Sequence, residues 1–161
     1  MTEFSLKRFL ALSHPVTLSL HASHPCHNME FVESKIIDYH PSKKIDVVLA
    51  LHTCDTATDE ANAQGIYLGA KYIVVVPCCQ NQIRSQLKKN HSLTALTEFG
   101  LLRYRFANDL TDALRSQFLK GHGYSVELKE ITSTRTTPKN LIIVARKQKK
   151  KKYNSYCCRC K

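Results

Sequence analysis

Apolar positions along this chain fall into short blocks separated by polar turns, and the blocks differ in period. "IDVVLALH" (45–52) and "KYIVVVP" (71–77) are continuously apolar, as expected of strands covered on both faces. "VTLSL" (16–20), "MEFVESKIIDY" (29–39) and "SVELKEIT" (125–132) alternate as half-buried strands do, and "LIIVARK" (141–147) predicts a last strand. "TATDEANAQGIYLGA" (56–70) predicts a helix, with Thr56 or Thr58 as N-cap and Gly65 or Gly69 near its end. "CQNQIRSQLKKN" (79–90) predicts another, followed by a polar loop. "NDLTDALRSQFLKGHGY" (108–124) predicts an amphipathic helix with Leu110, Leu114 and Phe118 as its apolar stripe. Buried strands alternating with helices indicate an α/β fold with a mainly parallel sheet. The last two strands have no helix between them, so they form an antiparallel terminal pair.

This order points to one edge of the sheet. Ligands in open parallel sheets bind outside the carboxyl ends of the strands. "HTCD" follows one buried strand and "PCCQ" the next, so His52, Cys54, Asp55, Cys78, Cys79 and Gln80 line one rim. Three chemistries suit that rim. His52 or Asp55 could move a proton beside a thiol. His52, Cys54, Cys78 and Cys79 could hold a metal, although the Cys-x-x-Cys spacing is absent. Asp55 could simply cap the next helix, with the cysteines as core residues. The whole cluster favours a pocket. His21, His24, Cys26 and His27 form a second, weaker group in an N-terminal loop. Asp112 and Arg115, three apart on a helix, are placed to pair with each other.

Composition narrows the setting. The chain has 161 residues, seven cysteines and a formal net charge of +11. No apolar run has the length of a membrane span, and Lys7 and Arg8 precede too short an apolar patch for a signal peptide. The expected location is cytoplasmic, with reduced thiols. Residues 146–161 carry eight of the positive charges and no acid, leaving +3 for the rest. That end reads as a disordered basic tail (148–161), with a nucleic acid as the partner it suits. Cys157, Cys158 and Cys160 are too close together to surround one zinc ion.

"LHTCDTATDEA", "VVVPCCQ", "RFANDLTDALRSQFLKGHGY" and "TPKNLIIVARK" resemble, in this order, the methyltransferase-like group of class I S-adenosylmethionine-dependent methyltransferases. The resemblance runs from about residue 29 to 147. It implies a Rossmann-like sheet in which 45–52 and 71–77 are the fourth and fifth strands, and 29–39 the third. It also implies S-adenosylmethionine as cofactor and a methyl acceptor, with RNA as one candidate. His52, Cys54, Asp55, Asp59, Cys78, Cys79 and Gln80 would line the catalytic rim. Ser34, Lys35 and His52 would lie near the cofactor. Thr137, Pro138, Lys139 and Asn140 match the family's turn before the last strand.

One departure stands out. The family cradles its cofactor with a Gly-rich turn after the first strand, where glycine lets the backbone approach the ligand. The glycines here are 65, 69, 100, 121 and 123, none of them early enough. The expectation is a partial domain (29–147) behind an atypical N-terminal segment (1–28), lacking the first two strands and weak or inactive alone. The fourth strand would then have an open apolar edge. "VTLSLHA" (16–22), a second copy of the chain or a complementing chain would cover it. The alternatives are a non-catalytic module that binds RNA or another polyanion through its tail, and a thiol or metal protein.

Overall fold

The computed structural model describes residues 9–12, 32, 34–51, 53, 55–87, 91–133, 135–137 and 139–148. In chain order the elements are β1 (Phe9–Leu12), β2 (Val47–Leu51), α1 (Thr56–Tyr67), β3 (Tyr72–Val76), α2 (Asn81–Leu87), a 3-10 turn (His91–Leu93), α3 (Thr94–Thr97), α4 (Gly100–Gly121), β4 (Tyr124–Glu130) and β5 (Leu141–Lys147). The strands form one five-stranded sheet in the order β1-β2-β3-β5-β4. β1–β2 and β2–β3 are parallel, whereas β3–β5 and β5–β4 are antiparallel. Four strands, β1 to β4, therefore run in one direction and β5 alone is reversed, so the sheet is mainly parallel in strand direction and carries the expected antiparallel terminal pair, with β5 inserted between β3 and β4.

Helices α1 and α4 touch each other and pack on one face of the sheet. That face carries Val48, Ala50, Ile73, Val75, Ile143 and Ala145, all fully buried. The alternate positions Leu49, Val74 and Val144 share the opposite face and are only half-buried. The continuous apolar runs of β2 and β3 thus do not reflect equal burial on both faces. Helix α1 buries Ala61 and Gly65. A Cβ added at Gly65 would lie 2.7 Å from Ile73 Cδ1, so glycine lets the helix sit directly on β3. The helix gives way to Gly69 at φ +65, a left-handed conformation suited to glycine.

The edge expected to be open is paired. β1 runs beside β2, from Phe9 opposite Val47 to Leu12 opposite Ala50. The expected covering segment, 16–22, lies outside the described residues, as do the His/Cys group at 21–27 and the basic tail at 149–161.

The third strand expected over 29–39 is not formed across its described part. Residues 36–38 form a turn, closed by Asp38 N donating to the Lys35 carbonyl (3.2 Å) and Tyr39 N to that of Ile36 (3.4 Å). The turn tucks Ile36 against the core and leaves Ile37 exposed.

Helix α4 is longer than expected, and its buried side differs. It begins at Gly100, where a polar loop was expected, and buries Ala107, Thr111, Asp112, Arg115, Ser116 and Leu119. Leu114 and Phe118 of the expected apolar stripe are 52% and 45% exposed. The helix is rotated so that an ion-pair network, rather than its apolar stripe, faces the interior. Among the described residues, no helix is long and apolar enough to cross a membrane.

Candidate functional site

The parallel register sets Leu51 opposite Val76, so the chain leaves β2 and β3 at the same edge. Asp55, Cys78, Cys79 and Gln80 therefore share the expected rim. His52 and Cys54 lie outside the described residues.

Asp55 shapes this rim. Its backbone has φ 52 and ψ −119, a strained conformation for a residue with a side chain. It precedes α1 as the N-cap, in place of Thr56 or Thr58, yet its carboxylate makes no bond to that helix. Oδ2 instead accepts from Gln82 N at 3.1 Å, tying the turn after β2 to α2, which follows β3. The Asp55 carbonyl accepts from Arg115 Nη2 at 2.7 Å and from Thr58 N at 3.2 Å. The Thr58 hydroxyl donates to the Thr53 carbonyl, which closes the turn from below.

Arg115 joins the helices behind the rim. Nε donates to Asp59 Oδ1 at 2.7 Å and Nη2 to Asp59 Oδ2 at 3.2 Å, a two-pronged bond from α4 to α1. Nη1 donates to Asp112 Oδ1 at 3.2 Å, so the pairing expected from helical spacing is present beside a longer-range one. Burial works against the Arg115 charge, but the hydrogen bond and charge of Asp59, with those of Asp112, hold its pKa above the ordinary value. Burial is also the largest influence on Asp112 and pushes its carboxyl upward, against the pull of Arg115, Gln80 and Lys139.

The network continues across the sheet. Gln80 is buried; its Nε2 donates to Asp112 Oδ1 at 3.4 Å and its Oε1 accepts from Lys139 Nζ at 3.0 Å. That ammonium lies 4.9 Å from the centre of the Tyr104 ring, within cation–π range. Asn140 holds the turn in place: its Nδ2 donates to the Thr132 carbonyl at 2.6 Å. Thr137 Oγ1 accepts from Lys139 N at 3.2 Å. Pro138 lies outside the described residues. The Thr-Pro-Lys-Asn stretch thus delivers Lys139 to the rim, a role that its spacing alone did not give.

Asp55 and Asp59 also line a cavity of about 430 Å³ between α1, α2 and α4, together with Asn62, Thr111, Leu114 and Phe118. Asn62, Lys139 and Tyr104 belong to no sequence pattern singled out for chemistry. Cys78 and Cys79 are half-buried thiols beside Gln80. Among the described residues, no three His, Cys, Asp or Glu side chains are grouped to hold a metal ion.

Ser34 and Lys35 are not brought to this cavity. Ser34 lines a separate one of about 390 Å³ with Asp38, Tyr39 and His40. The Tyr39 carbonyl accepts from Gln64 Nε2 and His40 stacks edge-on with Tyr67. Both partners lie toward the carboxyl end of α1, away from Asp55. Lys35 is exposed.

The described residues do not fit a glycine-built cofactor cradle. Gly65 faces Ile73, Gly69 faces Lys147, and a Cβ at Gly100, Gly121 or Gly123 would meet nothing within 4 Å. No glycine brings backbone to a ligand at the carboxyl rim.

Residues 15–86 match a family model described as a methyltransferase domain. The match begins earlier than residue 29, so part of the N-terminal segment belongs to the likeness. It covers β2, α1, β3 and most of α2, and it leaves out α4, β4 and β5. No curated protein matches the chain. Over 15–86, then, the chain is similar to methyltransferases, and that stretch contains Asp55, Asp59, Cys78, Cys79 and Gln80.

Proposed function

We propose that the chain is a methyltransferase-type domain of the class that uses S-adenosylmethionine. It keeps the rim beyond the fourth and fifth strands, lacks the glycine cradle, and is weak or inactive alone. The observation that carries this is the tie between the two rim turns, Asp55 Oδ2 to Gln82 N at 3.1 Å, inside the stretch similar to methyltransferases. An ordinary helix cap would spend that carboxylate on α1; here it fixes the two turns relative to each other. Methyl transfer depends heavily on alignment of donor and acceptor, and a rim held this way supplies rigidity on the acceptor side. Asp55 and Cys78 would face the acceptor, and Gln80 would be oriented by Asp112 and Lys139. The basic tail suits a nucleic acid as acceptor or partner.

Calorimetric titration of the full chain with S-adenosylmethionine tests this. Micromolar binding means that another backbone segment replaces the glycine turn, and a search for acceptors follows. A folded chain that binds none removes catalysis by the isolated chain. If S-adenosylmethionine is still not bound when candidate complementing chains are added, the methyltransferase reading fails.

A further inference from the structure

Past the end of β3 the chain sets two thiols side by side. Cys78 and Cys79 are both half-buried, and neither is in a disulfide. They lie in the connection 77–80, between Val76 at the end of β3 and Asn81 at the start of α2. The residues flanking the pair are fixed. Pro77 and Gln80 are buried, and proline holds its own φ. Gln80 is tied to Asp112 and Lys139 through its side chain. Two residues further on, Gln82 N donates to Asp55. The fold therefore pins both ends of the dithiol and leaves both cysteines partly open to solvent.

Adjacency decides the chemistry. The peptide bond between the two cysteines is trans, which sets their Cα atoms about 3.8 Å apart. An unstrained disulfide spans about 4.4–6.8 Å, so a bond between these two sulfurs would be strained and readily reduced. Zinc in a structural site takes four ligands. Among the described residues, no three His, Cys, Asp or Glu side chains are grouped to hold a metal ion. Two neighbouring thiols suit a soft centre that bonds to both and brings its own third substituent. A monosubstituted arsenic(III) compound has that valence. Inserting one atom between the sulfurs also removes the short span that strains a direct disulfide.

We propose that Cys78 and Cys79 form a dithiol site for trivalent organoarsenicals at the rim. Two As–S bonds form, and the arsenical oxygen leaves as water with both thiol protons. Arsenic stays trivalent and nothing is oxidised. The site does not depend on methyl transfer: a chain that binds no S-adenosylmethionine keeps it.

The probe is phenylarsine oxide, added to the full chain with Cys157, Cys158 and Cys160 replaced by serine, because the tail holds a second adjacent pair. Intact-mass spectrometry should show one phenylarsenic group per chain. The adduct should survive excess glutathione, a monothiol, and be removed by 2,3-dimercaptopropanol. Cys78→Ser and Cys79→Ser should each abolish the glutathione-resistant adduct, and Cys54→Ser should leave it. A peptide of residues 73–84 should bind at least about fivefold more weakly, because the fold has already ordered the two residues that the peptide must order on binding. Should a serine variant not fold, proteolytic mapping of the adduct on the folded chain locates the arsenic instead, and mapping to Cys78 and Cys79 is expected. The site is overturned by the absence of a glutathione-resistant adduct on the folded chain, by its survival in a folded Cys78→Ser or Cys79→Ser variant, or by its loss in a folded Cys54→Ser variant. Mapping to other cysteines, or a peptide that binds as tightly as the chain, overturns it equally.

Discussion

Arg115 on α4 grips Asp59 on α1 through two hydrogen bonds of 2.7 and 3.2 Å, while its third nitrogen reaches Asp112. The guanidinium is nearly inaccessible, whereas the Asp59 carboxylate is half-exposed. Within this pair the arginine carries most of the desolvation cost, which Asp112, itself buried, shares; the two acids and the Asp55 carbonyl offset the arginine's part. The arrangement also holds the rim turn, because the same Nη2 that meets Asp59 meets that carbonyl.

Replacing Arg115 by alanine leaves Asp112 buried without its cation, the strongly destabilising way to break an ion pair. The expected loss is about 3–5 kcal/mol, read from urea unfolding midpoints. Adding Asp112→Asn to that variant should return part of it by removing the stranded charge. Arg115→Lys should not substitute well, since an ammonium cannot bridge three acceptors in the fork geometry.

Gly65 predicts a second sign. In an exposed helix, glycine to alanine gains up to about 1 kcal/mol. Here the new methyl would meet Ile73 Cδ1 at 2.7 Å and Cγ1 at 2.8 Å, and Ile73 is fully buried. Gly65→Ala should therefore destabilise, by about 1–3 kcal/mol. Ile73→Val in the same chain should recover some of the loss by removing Cδ1. Equilibrium unfolding of the three variants decides it, and a stabilising Gly65→Ala would mean that α1 does not sit this close to β3.

Tyr124 gives a pH dependence. It is buried, its hydroxyl donates to the Ala70 carbonyl at 2.8 Å, and burial raises its pKa above 10.0. The folded chain then keeps the phenol proton at pH values where the unfolded chain has lost it. Stability falls as pH rises above the unfolded value. Thermal unfolding from pH 8 to 11 should show this decline in the parent chain, and Tyr124→Phe should flatten it while costing about 1 kcal/mol at neutral pH.

What could be read from the sequence follows from how local each signal is. β2, β3 and β5 are apolar runs bounded by turns, and α1 has glycines at its end; each was visible from a dozen residues. The rim followed from these elements, since Asp55, Cys78, Cys79 and Gln80 are set by where two strands stop. β1 was missed because Phe9–Leu12 is too short to show a period, and its partner lies far along the chain. The expected apolar stripe of α4 faces a cavity because the Asp59–Arg115 pair, invisible in local spacing, rotates the helix. Asn62 carries no motif; only its burial without a partner singles it out.

The β1–β2 pairing makes the last prediction. β2 is the most buried of strands β2 to β5, with Val48 and Ala50 inaccessible, and β1 satisfies its outer edge over four residue pairs. An unpaired edge on such a strand is a template for another chain. Removing residues 1–12 should therefore yield dimers or larger species by size-exclusion chromatography with light scattering, and a lower melting temperature. Introducing Pro at position 10 is the milder version, since proline supplies no N–H to a ladder. If both variants stay monomeric at unchanged melting temperature, β1 is dispensable and another segment guards the edge. If they associate, the parallel strand beside β2 is what guards that edge against another chain.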